Sequence, residues 1–101
     1  MTIHKGNLIV FPGDTTDYSA LTAVEGCIEV QEGAKFTAPS LESAGLVVVY
    51  AGGTMDAPAI ESADRVFVYK GATLDAPSLT EVKGWINVHE FGTMDAPNLK
   101  R

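Results

Sequence analysis

The segments Thr73-Leu74-Asp75-Ala76-Pro77 and Thr93-Met94-Asp95-Ala96-Pro97 nearly coincide, and the likeness runs through the whole chain. Aligned on glycine or its substitute, the 101 residues fall into five lines beginning at Gly6, Gly26, Gly45, Asp64 and Gly84, with a period of 19 to 20 residues. A unit this short cannot close a core alone, so each must bury its apolar side on its neighbours. That requirement excludes most architectures before any residue type is considered.

Each line opens with alternating apolar residues: Leu8/Val10, Ile28/Val30, Val47/Val49, Val66/Val68 and Ile86/Val88. Period-2 alternation of β-branched residues predicts a short strand. Gly13, Gly33, Gly52 and Gly71 follow, where a turn needs positive φ. The fifth line has Phe91 there with Gly92 next, so its turn is expected to differ. A second apolar column runs Thr16, Phe36, Met55, Leu74, Met94. Ala-Pro then makes a corner, because proline fixes its own φ and extends the residue before it. Beyond it stand Leu21, Leu41, Ile60, Leu79 and Leu99, then Val24, Ala44, Ala63 and Val82.

No line has room for a long helix. The pattern predicts an all-β chain, a short parallel β-solenoid (β-helix) of about five coils. It is a single domain: residues 1–5 cap the first coil by folding over it, and the coils are 6–25, 26–44, 45–63, 64–83 and 84–101. At ~4.8 Å per coil the stack is a rod about 24 Å long.

Spacing of the form L-x-x-V-x-G-x-I-x-V, carried over residues 6 to 99, resembles the leucine-rich-repeat-like coils of receptor L domains and of related fungal wall proteins. It looks still more like short repeat proteins encoded by phages and bacteria. The resemblance implies recognition of other macromolecules and brings no catalytic residues. Receptor L domains are larger and capped by disulfides, whereas Cys27 is the only cysteine of this chain and has no intrachain partner.

Composition narrows the function. A hydrophobic fraction of 46% against 20% charged residues suits a folded core. The net charge of -6 disfavours direct binding to nucleic acid and suits a basic protein partner. No apolar run is long enough to span a bilayer, and the opening residues lack a signal-peptide pattern, so a cytoplasmic location is expected. His4 and His89 lie at opposite ends of the chain, no nucleophile elbow, zinc-protease or phosphate-loop motif occurs, and Cys27 has no evident activating base. The chain reads as a non-enzyme without metal or cofactor.

Function then falls to the outward columns: Asn7, Cys27, Leu46, Arg65, Trp85; Ile9, Glu29, Val48, Phe67, Asn87; and Phe11, Gln31, Tyr50, Tyr69, His89. Leu46, Val48, Tyr50, Phe67, Tyr69 and Trp85 are expected to cluster as an apolar, aromatic face. Such a face marks an interface with a partner or a second copy, unless the N-terminal residues or a loop cover it. The second feature is an acidic ladder, Asp17, Asp56, Asp75 and Asp95, broken by Thr37. Carboxylates at coil spacing repel by only ~0.9 kcal/mol per pair in a water-like dielectric. They either cap the Ala-Pro corner by accepting backbone N–H groups or present negative charge to a basic surface, with Glu42, Glu61 and Glu81 beside them. The Thr15, Thr54, Thr73 and Thr93 ladder suits parallel strands; ice binding is a remote alternative.

The reading is a non-enzymatic protein-binding module, a homodimer. A specific job consistent with the resemblance is that of a phage-encoded, anti-CRISPR-like inhibitor that blocks a basic site of a host defence or nucleic-acid-handling complex in the host cytoplasm. The alternative is a structural, self-assembling repeat protein of a virion or surface appendage.

Overall fold

The computed structural model describes residues 2–13, 18–97 and 99. Thr15, Thr16 and Asp17 lie outside the described residues, as do Lys100 and Arg101. Eleven strands and no helix are present among the described residues: β1 (Thr2–His4), β2 (Leu8–Val10), β3 (Leu21–Val30), β4 (Lys35–Thr37), β5 (Ser43–Val49), β6 (Thr54–Asp56), β7 (Ser62–Val68), β8 (Thr73–Asp75), β9 (Glu81–Val82), β10 (Ile86–Val88) and β11 (Thr93–Asp95). Every pairing is parallel, and the register is that of the repeat. Leu8, Ile28, Val47, Val66 and Ile86 form one rung-to-rung column, and Val10, Val30, Val49, Val68 and Val88 another. Met55, Leu74 and Met94 share a third with Phe36. The fold is a parallel β-solenoid of five turns at a spacing of about 19 residues.

Two sheets enclose the core. One has seven strands, ordered β1-β3-β5-β7-β10 with β2 on β3 and β9 on β7; the other runs β11-β8-β6-β4. Inside lie Phe36, Ile28, Leu41, Met55, Leu74, Leu79 and Val10, Val30, Val47, Val49, Val66 and Val68, all fully buried, and no polar side chain is buried with them among the described residues. Extents of 32 × 29 × 20 Å make the stack squat rather than rod-like.

Two repeated turns bend each coil. At the Ala-Pro corner a main-chain hydrogen bond closes four residues: Leu41 N–H to Ala38 C=O (3.2 Å), Ile60 to Ala57 (3.3 Å), Leu79 to Ala76 (3.1 Å) and Leu99 to Ala96 (3.2 Å). Proline in the second place of such a turn has its φ already set. The second turn is closed by Ala34 N–H to Gln31 C=O, Gly53 to Tyr50, Ala72 to Tyr69 and Gly92 to His89. Its third residue has positive φ: Gly33 (72°), Gly52 (71°), Gly71 (71°) and, in the last coil, Phe91 (63°). The last turn therefore does not differ, contrary to the sequence expectation. The hydrogen bond and the coil below hold the same backbone, and a phenylalanine occupies a conformation that favours glycine.

A further corner separates the two halves of the larger sheet. A Cβ on Gly45 would stand 2.6 Å from the Gly26 carbonyl oxygen, so the coils approach too closely there for a side chain. The second, third and fourth coils cross this corner as continuous strands, whereas the first and last are broken into β1/β2 and β9/β10. At the N-terminus, β1 pairs in parallel with β3, His4 opposite Val24. These residues extend the sheet by one rung beside the first coil.

Candidate functional site: an aromatic ladder and an acidic corner

On the strand β2/β3/β5/β7/β10 face, residues meant to point outward do so in register, Cys27 opposite Leu46 opposite Arg65, and Glu29 opposite Val48 opposite Phe67 opposite Asn87. Rung spacing brings flat side chains of one column face to face. Tyr50 stacks on Tyr69 with ring centres 5.2 Å apart and planes 2° from parallel, and Tyr69 stacks on His89 at 4.8 Å and 11°. Arg65 lies over the Trp85 ring at 5.2 Å, a cation–π contact along the neighbouring column. The Tyr50 phenol is held above its ordinary pKa, first by burial, then by the negative charge of Glu29, then by Tyr69 and by a hydrogen bond to Glu29.

This packing changes what the face offers. Leu46, Tyr50, Phe67 and Tyr69 are only half-buried, as the strand pattern requires, but Val48 at its centre is 6% exposed and belongs to the buried set. Val48 therefore does not present itself to a partner. Trp85 remains open at 59% exposure. Among the described residues, the large apolar side chains that are exposed lie at the ends of the stack: Ile3 on β1, Ile9 and Phe11 on the first coil, and Trp85, Val88 and Phe91 on the last. Sequence reasoning placed Val88 in the core and Phe91 in a turn. The signal that would have found them is simple: a column residue with no rung beyond it keeps one side uncovered.

The acidic column is also in register, Thr37 opposite Asp56 opposite Asp75 opposite Asp95; Asp17 lies outside the described residues. The Asp56, Asp75 and Asp95 main-chain carbonyls accept from Ala38, Ala57 and Ala76 at 2.8 to 3.0 Å, as rung hydrogen bonds. Their carboxylates have no hydrogen-bond or ion-pair partner among the described residues. The corner that follows is closed by backbone alone, so the capping role does not account for these side chains. Glu42, Glu61 and Glu81 are exposed on the other side of the proline corner. Carboxylates thus flank the Ala-Pro edge on both sides, while Arg65 and Lys70 are engaged elsewhere, over Trp85 and Phe91.

No family model, curated protein or solved structure matches the chain. The likeness to other repeat proteins therefore stands at the level of architecture, a parallel β-solenoid. No helix among the described residues is long and apolar enough to cross a membrane.

Proposed function

We propose that this protein is a non-enzymatic binding module that presents its acidic proline corner to a basic surface of a protein partner. The observation that carries the reading is the column Asp56, Asp75 and Asp95, held at rung spacing with carboxylates that have no partner among the described residues. Negative charge fixed in a row, next to the exposed glutamates, steers a basic protein and sets its register more than it adds raw affinity. The aromatic rungs Tyr50, Tyr69 and Trp85 stand on another face and supply apolar area at its C-terminal side. Net negative charge opposes direct contact with nucleic acid.

The narrower reading follows from acidity, small size and the likeness to phage-encoded repeat proteins. It is an inhibitor of a host defence or nucleic-acid-handling complex, anti-CRISPR-like in logic, acting in the host cytoplasm by occupying a basic site. The second reading, a self-assembling structural repeat protein, is favoured by the apolar residues gathered on the terminal coils.

Affinity capture from a bacterial host lysate tests the first reading. The expected result is a basic protein eluted by raising the salt concentration, because contacts between exposed charges weaken as screening increases. A triple substitution, Asp56→Asn, Asp75→Asn and Asp95→Asn, should abolish its capture. Recovery that ignores both salt and the triple substitution would sink the acidic-corner reading, and recovery of no host protein would leave self-assembly as the function.

A further inference from the structure

Among the described residues, β10 pairs only with β7, and it ends the order of the larger sheet. Val66 N–H donates to the Trp85 carbonyl (3.1 Å), and His89 N–H donates to Val68 (2.8 Å). In a parallel ladder, alternate residues turn their main-chain groups to the same side. Residues 85, 87 and 89 thus serve β7, and the N–H and C=O groups of Ile86 and Val88 point to the open edge. Val88 is 42% exposed although its column mates are fully buried.

From this edge we infer that a second copy of the chain docks on β10, antiparallel, about a two-fold axis through Asn87. The segment Trp85-Ile86-Asn87-Val88-His89 is self-complementary in the way an isologous contact demands, residue i on j and j on i. Ile86 of one copy faces Val88 of the other. Both are inward-column residues, and both carry the free main-chain groups, so they exchange N–H and C=O as a hydrogen-bonded antiparallel pair. By symmetry the exchange occurs twice. Asn87 faces Asn87, with amides able to donate and accept across the axis. Trp85 faces His89, which continues the stack Tyr50–Tyr69–His89 onto the Trp85–Arg65 contact of the other copy. A head-to-tail contact is the poorer choice, because Val10 on the first coil is already fully buried.

The area suffices for a modest dimer. Any cross-section taken from extents of 32 × 29 × 20 Å covers on the order of 500 Å² per copy, or about 1,000 Å² in all, the lower bound for a specific interface. Each chain carries a net charge of -6, so the copies repel at long range and the dimer should tighten as salt is added. That is the opposite of the response expected for a basic partner. The inference does not depend on a foreign partner: the acidic corner stays open when β10 is paired.

Two substitutions test it in the full chain. Val88→Pro deletes an N–H that faces the open edge and spares those that serve β7, a place where proline is tolerated. Sedimentation equilibrium should show self-association weakened at least tenfold with an unchanged circular dichroism spectrum. In a Cys27→Ser background, Asn87→Cys puts two thiols across the axis, where Cα atoms of a non-hydrogen-bonded antiparallel pair lie ~4.5 Å apart, within disulfide range. Oxidation should give a covalent dimer, and Glu29→Cys, three rungs of the same column further back, should not. A wild-type chain that is monomeric at hundreds of micromolar overturns the inference, as does equal cross-linking of the two cysteine variants. A monomer that still captures a basic host protein would refute this contact alone, and a dimer that captures none would refute the acidic-corner reading alone.

Discussion

The third coil and the fifth share the run Gly-Thr-Met-Asp-Ala-Pro, at residues 53–58 and 92–97. Val49, Met55 and Ile60 are at most 2% exposed, whereas their column mates Val88, Met94 and Leu99 are 42% exposed or half-buried. The strand of the third coil runs unbroken through its corner as β5; that of the fifth is split into β9 and β10. Shared residues in shared columns thus do not give shared burial. A rung is core only when rungs lie on both sides of it, so stability in this fold belongs to the interfaces between coils.

The largest test of that contrast is truncation of the same residue type in both places. At a concentration low enough to keep the chain monomeric, Met55→Ala should cost ~2–5 kcal/mol in denaturant unfolding, the range for a buried methionine, and Met94→Ala less than half of that. Equal losses in the monomer would break the contrast. Next comes the turn. Holding a side chain at positive φ costs on the order of 1–3 kcal/mol, more than the ~0.5–1 kcal/mol of an exposed cation–π contact. Phe91→Gly, which gives up the Lys70 contact at 5.9 Å, should therefore raise the melting temperature, and Gly71→Phe should lower it. A fall on Phe91→Gly would show that the phenylalanine is held by more than Lys70.

The smallest effect concerns Tyr50 in the inner part of the ladder. Its pKa is raised in the folded chain, so the folded state holds the phenolic proton more tightly than the unfolded state does. The associated stability is complete below the unfolded value of about 10 and is lost as pH rises through the folded one. Unfolding curves of wild type and Tyr50→Phe should accordingly converge above pH ~10, with wild type losing more. Parallel curves would show that the ring is as solvated as an outer-rung residue.

Much of this was legible in the chain because period and side-chain chemistry pointed the same way. The columns through Ile28, Val47 and Val66, and through Asp56, Asp75 and Asp95, follow from counting alone, since parallel rungs leave no freedom of register once the corners are placed. The alternation also told which side of the strand Tyr69 and Trp85 occupy. It could not tell that Val48 would be buried, because alternation fixes the side of a strand and not the exposure. Nor could it foresee Phe91: residue preference argued for a new turn, and the backbone inherited from the rung below prevailed. The main-chain closure of the Ala-Pro corner, which leaves the carboxylates unengaged, is likewise a matter of hydrogen-bond geometry that residue identity does not encode.

The fixed phase of the rungs has an engineering consequence. Ala44 precedes Gly45 as Ala63 precedes Asp64, so excising residues 45–63 would join two chain ends that already occupy equivalent places, and duplicating them would do the same. The molecule can in principle be shortened or lengthened by whole turns, like a spring cut to measure, with the spacing and number of its surface charges adjusted one step at a time.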